Sequence, residues 1–290
     1  MNRPHSIAAY LIELEDGPVL MDCGPESQFP KLVGYLKKLG YQPKDVKHVL
    51  PTHIHLDHAG SAWQFAALGA KVYLHPMGGP HMIDPTKFLE SATRIYKEKM
   101  NDLWGTLKPI AKEQVVEVGN QETVQIGKAE FLSIHTPGHA KHHIAWLCED
   151  NLFAGDVAGC RIAEGPVIAP TPPPDLDFEV WQDSVKKMES TPFKNLYITH
   201  YGMFKDLKSH FEGLKQSLTS LRSKSETYYD VGMQSEEMAM RLVDNFESDL
   251  EELAVHSKED LIQNYQSINP LWMNAQGLFR YWQKKKMPKV

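Results

Sequence analysis

Residues 53 to 58 read His-Ile-His-Leu-Asp-His. Three imidazoles and a carboxylate within six positions form the donor set that borderline divalent metals prefer. Without a metal, the same run would crowd polar and partly charged groups into one tight turn with nothing to neutralise them. An apolar stretch, Val46 to Leu50, leads into it, and a small-residue stretch of helical character, Ala59 to Leu68, follows. The segment therefore reads as strand, ligand-bearing loop and helix. In an extended loop, His53 and His55 stand two apart and project to the same side. Asp57 and His58 fall where the helix begins, and an acidic group is favoured there by the unpaired N–H groups and the helix dipole.

The rest of the chain is ordinary for a globular protein: 290 residues, 42% hydrophobic and 23% charged. The 31 basic residues are outnumbered by 37 acidic ones, giving a net charge of −6. A general nucleic-acid or anionic-membrane surface calls for the opposite excess, so a small-molecule substrate is expected and neither of those partners. Three cysteines, Cys23, Cys148 and Cys160, show no paired pattern, which fits a reducing compartment. No run of about 18 apolar residues and no charged-then-apolar leader is seen, so the expectation is a cytoplasmic protein.

Taken in order, Ser6 to Leu14 and Val19 to Pro25 read as a β-hairpin around Asp16-Gly17-Pro18. Phe29 to Leu39 has apolar residues at a helical period, and Lys71 to His75 is a further strand. Strands alternating with helices imply a sheet covered by helices. Residues 77 to about 112 interrupt this rhythm. Pro85 to Leu107 reads as helical and amphipathic, and an insertion of this kind either covers a site as a lid or is an ordinary packed helix pair. His81, near its start, is a candidate pocket residue. Val115–Val118, Glu122–Ile126 and Glu130–His135 then read as short strands opening a second sheet. Ile144–Leu147 and Asn151–Asp156 form another hairpin, and Asn195–Gly202 is the last strand. Pro166 to Pro174 is too proline-rich for a central strand and reads as an extended loop. After Phe204 only helical patterns remain, over His210–Arg222, Ser235–Leu253 and Leu271–Lys285, with linkers at Lys224–Gly232 and Val255–Asn269. The division expected is 1–205, carrying the 77–112 insertion, and a helical region 206–290 that closes a pocket, pads the core or makes a homodimer contact.

Thr52 to Gly60, THIHLDHAG, resembles the His-x-His-x-Asp-His signature of the metallo-β-lactamase superfamily. The resemblance extends over about residues 6–202. It implies the αββα sandwich of two mixed sheets flanked by helices, here with an all-helical C-terminal appendage. Carried over residue by residue, it implies one metal held by His53, His55 and His139, the last in the turn Thr136-Pro137-Gly138-His139. A second metal would be held by Asp57, His58 and His200, with Asp156 of the Gly155-Asp156 step bridging the two. Asp22 matches an aspartate that supports the site from behind, as carboxylates commonly orient ligating histidines. His142 and His143 could hydrogen-bond at the pocket wall, His143 being the one kept as a pocket candidate.

What the resemblance implies chemically is hydrolysis. Two divalent cations, most simply Zn2+ with Fe or Mn as alternatives, bring four positive charges; two aspartates and a bridging hydroxide remove three. The remaining charge suits a developing oxyanion. The hydroxide, available near neutral pH because the metals acidify water, is the expected nucleophile, with Asp57 as proton acceptor. Cys23 and Cys160 are then bystanders. The substrate classes left open are a small ester, thioester, lactone or phosphoester. The alternative is a redox metalloprotein of the same fold, either a di-iron oxygen- or nitric-oxide-handling protein or an iron persulfide dioxygenase. The di-iron branch usually has Glu where this chain has His55, which favours the hydrolase.

Overall fold

The structure is a computed structural model that describes residues 6–252 and 258–287. By chain contacts it divides into two compact units. The first comprises Ile7–His135 and His142–Ala154. The second, among the described residues, comprises Ser6, Thr136–Lys141 and the chain from Gly155 onward.

The first unit begins with the expected hairpin, β1 (Tyr10–Ile12) and β2 (Val19–Met21), paired antiparallel. Helix α1 (Phe29–Lys38) leads to β3 (His48–Leu50), which pairs parallel with β2. After the His53–His58 loop come the short α2 (Leu56–Ala59), α3 (Ala62–Ala67) and β4 (Lys71–Leu74), parallel to β3. Three helices follow, α4 (Gly79–Ile83), α5 (Thr86–Tyr96) and α6 (Met100–Trp104), and then β5 (Val115–Glu117). The helical stretch expected over Pro85–Leu107 contains α5 and α6. Lys97 adopts φ +47 and Gly105 φ +72, and each positive φ ends a helix. One correction concerns β5. It does not open the second sheet but closes the first, parallel to β4, in the order β1-β2-β3-β4-β5.

The second sheet has the order β11-β10-β9-β8-β7-β6. Its strands β6 (Thr123–Ile126), β7 (Ala129–His135), β8 (Ile144–Cys148) and β9 (Asn151–Phe153) form an antiparallel meander within the first unit. The core under the first sheet gathers Leu20, Val49, Phe65, Val72 and Leu74 from the strands and α3 with Met82, Met100 and Trp104 from the α4–α6 stretch. These side chains are apolar and nearly solvent-free, so that stretch is packed into the unit.

The second unit carries α7 (Phe178–Ser190), β10 (Asn195–Ile198), β11 (Gly202–Phe204), α8 (Leu207–Asp230), α9 (Ser235–Glu252), α10 (Lys258–Ile268) and α11 (Leu271–Lys286). Strand β11 extends the expected last strand into a hairpin with β10. The polar stretch expected as a linker at 224–232 is instead the last turns of α8, held by Ser225 Oγ, which accepts from the Trp282 indole N–H at 2.9 Å. Gly232, at φ +84, lies just beyond its end. The second linker expected, Val255–Asn269, is α10 from Lys258, while 255–257 and Leu253 lie outside the described residues. The architecture is the αββα sandwich of two mixed sheets flanked by helices, followed by the helices α8–α11. Among the described residues no helix is long and apolar enough to cross a membrane.

Candidate metal centre

Two clusters of side chains stand at loop ends, one in each unit. In the first unit, β2 ends at Asp22, which takes φ +51, a conformation aspartate tolerates better than most residues. That turn aims its carboxylate at the loop after β3. Thr52 N–H donates to Asp22 Oδ1 at 2.7 Å, and His58 Nδ1–H donates to Oδ2 at 2.9 Å. The Thr52 hydroxyl lies 3.1 and 3.2 Å from the two carboxylate oxygens. Its single proton goes to the carboxylate, so its oxygen accepts from His53 Nδ1–H at 3.2 Å. The loop is tied down from the other side as well. Ile144 N–H reaches Thr52 O at 2.7 Å, and the Trp146 indole N–H reaches Pro51 O at 3.0 Å.

These partners settle the histidines. With Nδ1–H donated, His53 and His58 keep a lone pair on Nε2. His53 Nε2 faces His55 Nδ1 at 2.9 Å, two ring nitrogens close enough to share a proton or a cation. Asp57 lies in the first turn of α2 with Oδ2 3.7 Å from His58 Nε2. The rings of His142 and His143 close the back of the cluster. His143 stacks on His53 at 5.0 Å, and His142 meets His55 edge-on at 5.5 Å while its Nδ1 accepts from Ile54 N–H at 3.4 Å. Burial and then the neighbouring Asp22 charge push the Cys23 thiol well above its ordinary pKa, so it is no thiolate nucleophile. Tyr96, at the end of α5, has its phenol pushed far up by burial and then by the charge of Asp57. His81 lies half-buried on α4 and makes no side-chain hydrogen bond to the cluster among the described residues.

In the second unit, the Thr136-Pro137-Gly138-His139 turn is clamped by α7. Ser184 Oγ–H donates to Pro137 O at 2.5 Å and Asp177 N–H to Gly138 O at 2.9 Å. Gly138 has φ +141, and a Cβ there would collide with Trp181, so both backbone and space demand glycine. The turn presents His139, whose Nδ1–H donates to Pro170 O at 2.9 Å. Asp156 sits in a helical turn right after β9, with Oδ2 3.5 Å from His139 Nε2 and Oδ1 3.6 Å from His200 Nε2. His200, after β10, donates Nδ1–H to Ser6 O at 2.7 Å. A carbonyl can only accept, so both histidines again carry the proton on Nδ1 and a lone pair on Nε2. All three side chains are nearly solvent-free.

The donor chemistry fits divalent cations. Four imidazoles have one nitrogen committed to a fixed acceptor and the other left basic, and Asp156 places one carboxylate oxygen beside each of two imidazoles. Among the described residues, histidine and aspartate groups are present that could hold a metal ion. Sequence reading reached every carboxylate and imidazole named here but missed Thr52 as the hub behind His53 and His58. It also missed the carbonyls of Ser6 and Pro170, since backbone acceptors leave no signal in residue type. Thr52 had one available signal, a hydroxyl directly before the first histidine.

A sandwich of this topology, with histidine- and aspartate-bearing loops, defines a class of folds with a potential metal site. The sequence profile of the Metallo-beta-lactamase superfamily matches residues 2–200, and the chain belongs to that superfamily. It is similar to the metallo-beta-lactamase fold-containing protein ST1585 of Sulfurisphaera tokodaii, 28% identical over 238 residues, covering 79% of this chain and 84% of the relative. The solved structure of ST1585 superposes with a TM-score of 0.65 over 95% of this chain and 93% of its own, at 23% identity. An N-acyl homoserine lactonase of Bacillus thuringiensis is 28% identical over 162 residues, covering 48% of this chain and 57% of the lactonase. A hydroxyacylglutathione hydrolase of Rhodospirillum rubrum is 31% identical over 158 residues, 52% of this chain and 46% of the enzyme. The chain thus matches only about half the length of these two hydrolases.

Proposed function

We propose that the protein is a dinuclear metal-dependent hydrolase of a small ester-type substrate, a lactone or thioester foremost. The observation that carries this reading is the protonation pattern of the imidazoles. His53, His58, His139 and His200 each have Nδ1–H spent on a fixed acceptor, which leaves Nε2 as a ready ligand. In this reading His53, His55 and His139 would hold one cation and Asp57, His58 and His200 the other, with Asp156 shared between them. Imidazole and carboxylate donors without thiolate fit Zn2+, with Fe and Mn next. When bound, the cations would lower the pKa of a water molecule towards neutrality and polarise the bond to be broken.

The chain's own groups supply the remainder. Asp57, half-buried at the start of α2, would be the acceptor for the proton that the attacking water loses. Asp22 and Thr52 hold His53 and His58 in the tautomer that binds. The lactone and thioester preference is supported by the similarity to an N-acyl homoserine lactonase and a hydroxyacylglutathione hydrolase. His81 remains a proposed pocket residue, a homodimer through α8–α11 a proposed assembly, and the cytoplasm a proposed location.

The test is elemental analysis of the purified protein followed by a panel of lactone, thioester and phosphodiester substrates. About two divalent ions per chain and turnover of a lactone or thioester are expected, with Asp156→Ala losing both ions and His55→Ala nearly all turnover. A metal-free protein, or full turnover by His55→Ala, would refute the proposal.

A further inference from the structure

The acceptor that fixes His139 is itself held from outside the sandwich. Pro170 O receives His139 Nδ1–H, and Pro170 lies in the proline-rich 166–174 segment, where Ile168 makes an isolated antiparallel β-bridge with Cys160. Beyond that bridge, the amides on either side of Pro170 are held by the C-terminal helices. Ala169 N–H donates to Ser217 Oγ on α8 at 2.9 Å. Thr171 N–H donates to Asn274 Oδ1 on α11 at 2.8 Å. Thr171 and Asn274 are solvent-free. Helix α11 has glycine at 277, where a Cβ would run into the Thr171 carbonyl, so the helix backbone lies directly against the loop. Helix α10 adds Tyr265, whose hydroxyl donates to Pro166 O at 2.6 Å and accepts from Ile162 N–H at 3.1 Å.

We infer that the C-terminal helices are the outer support of the metal centre, with Ser217 and Asn274 acting as positioning residues for His139 through the Pro170 carbonyl. The inference deepens the metal reading above, because it takes His139 Nε2 to be a ligand. Losing either side-chain acceptor leaves a buried backbone N–H unsatisfied and frees the carbonyl between the two to move. His139 then loses its fixed Nδ1–H partner, and the Nε2 lone pair is no longer held ready. The helices that follow the sandwich would thus set the affinity of a site to which they contribute no ligand.

The experiment uses the full chain as wild type and as Ser217→Ala, Asn274→Ala, Asn274→Asp and Ser225→Ala. Ser225→Ala is the control, since it breaks the α8–α11 contact to the Trp282 indole without touching the loop. Two quantities are read. One is the His139 tautomer in imidazole nitrogen–proton correlation spectra of metal-free protein. The other is Co2+ affinity by absorption titration. Wild-type His139 is expected as the pure Nδ1–H form. Ser217→Ala and Asn274→Ala should mix the tautomers and weaken Co2+ by about tenfold or more, and Asn274→Asp, which keeps an acceptor, should restore both. Ser225→Ala should lower the Tm and change neither. If Asn274→Ala does not fold, the partly exposed Ser217→Ala decides alone. A fall in Tm with His139 unmoved and Co2+ affinity within about twofold of wild type would show a merely structural role and overturn the inference. A wild-type protein that takes up no Co2+ would instead refute the metal reading, and the metal-free spectra would still decide whether the helices hold His139.

Discussion

At the level of single residues, the imidazoles were legible in the sequence and their protonation was not. Asp22 shows the difference. The resemblance to the superfamily, which has an aspartate at the end of this strand, marked it as a supporting carboxylate. Only the fold shows that one carboxylate fixes both the Thr52 backbone and His58 Nδ1. The carbonyls of Ser6 and Pro170 do the same for His200 and His139, and no pattern of side chains encodes them. Asp22→Ala is therefore expected to lower metal affinity by about 10–100-fold, as loss of a partner behind a ligating histidine commonly does. Competition with a chromophoric chelator measures this, and an unchanged affinity would mean that His58 is oriented by something else.

At the level of elements, the chain's own signals placed most strands and helices, and the misses share a cause. Alternation marked Val115–Glu117 as a strand, but the choice between pairing with β4 and pairing with β6 is made by distant contacts, which a local pattern does not carry. Lys97 at φ +47 ends α5 with no residue-level warning, because lysine rarely takes that conformation. The polar end of α8 reads as a linker until the Trp282 indole is found donating to Ser225. Packing among these helices also makes a prediction about acid. Burial tends to raise the pKa of Glu179, on the first turn of α7, but hydrogen bonds from Lys285 and Tyr281 on α11 outweigh it and bring the value down to about 2. An unfolded glutamate titrates near 4.3, so the carboxylate's stabilising contribution is complete above that pH and is lost as pH falls toward about 2. Glu179 is partly exposed, and after allowance for solvent screening the contribution is about 1 kcal/mol. Urea denaturation should find Glu179→Gln less stable than wild type by roughly that amount at pH 7 and equal to it near pH 2. A gap that persists unchanged down to pH 2 would assign the effect to packing.

At the level of the whole molecule, the fold class was readable because a ligand motif, a strand–helix rhythm and a proline-glycine turn occur in a fixed order along the chain. The superfamily match over residues 2–200 agrees with that reading. The helices beyond were readable as helices from their periodicity alone. Their hold on the loop around Pro170 was not, since it runs through two backbone amides, Ala169 and Thr171, and side chains about 50 and 100 positions away. The central claim is that seven scattered side chains hold two cations. Anomalous diffraction from crystals of the purified protein, recorded across the zinc, iron and manganese absorption edges, tests it most directly. Two peaks are predicted, one bound by His53, His55 and His139, the other by Asp57, His58 and His200, with Asp156 reaching both. No peak among these residues, or ions held by a different set of ligands, would contradict it.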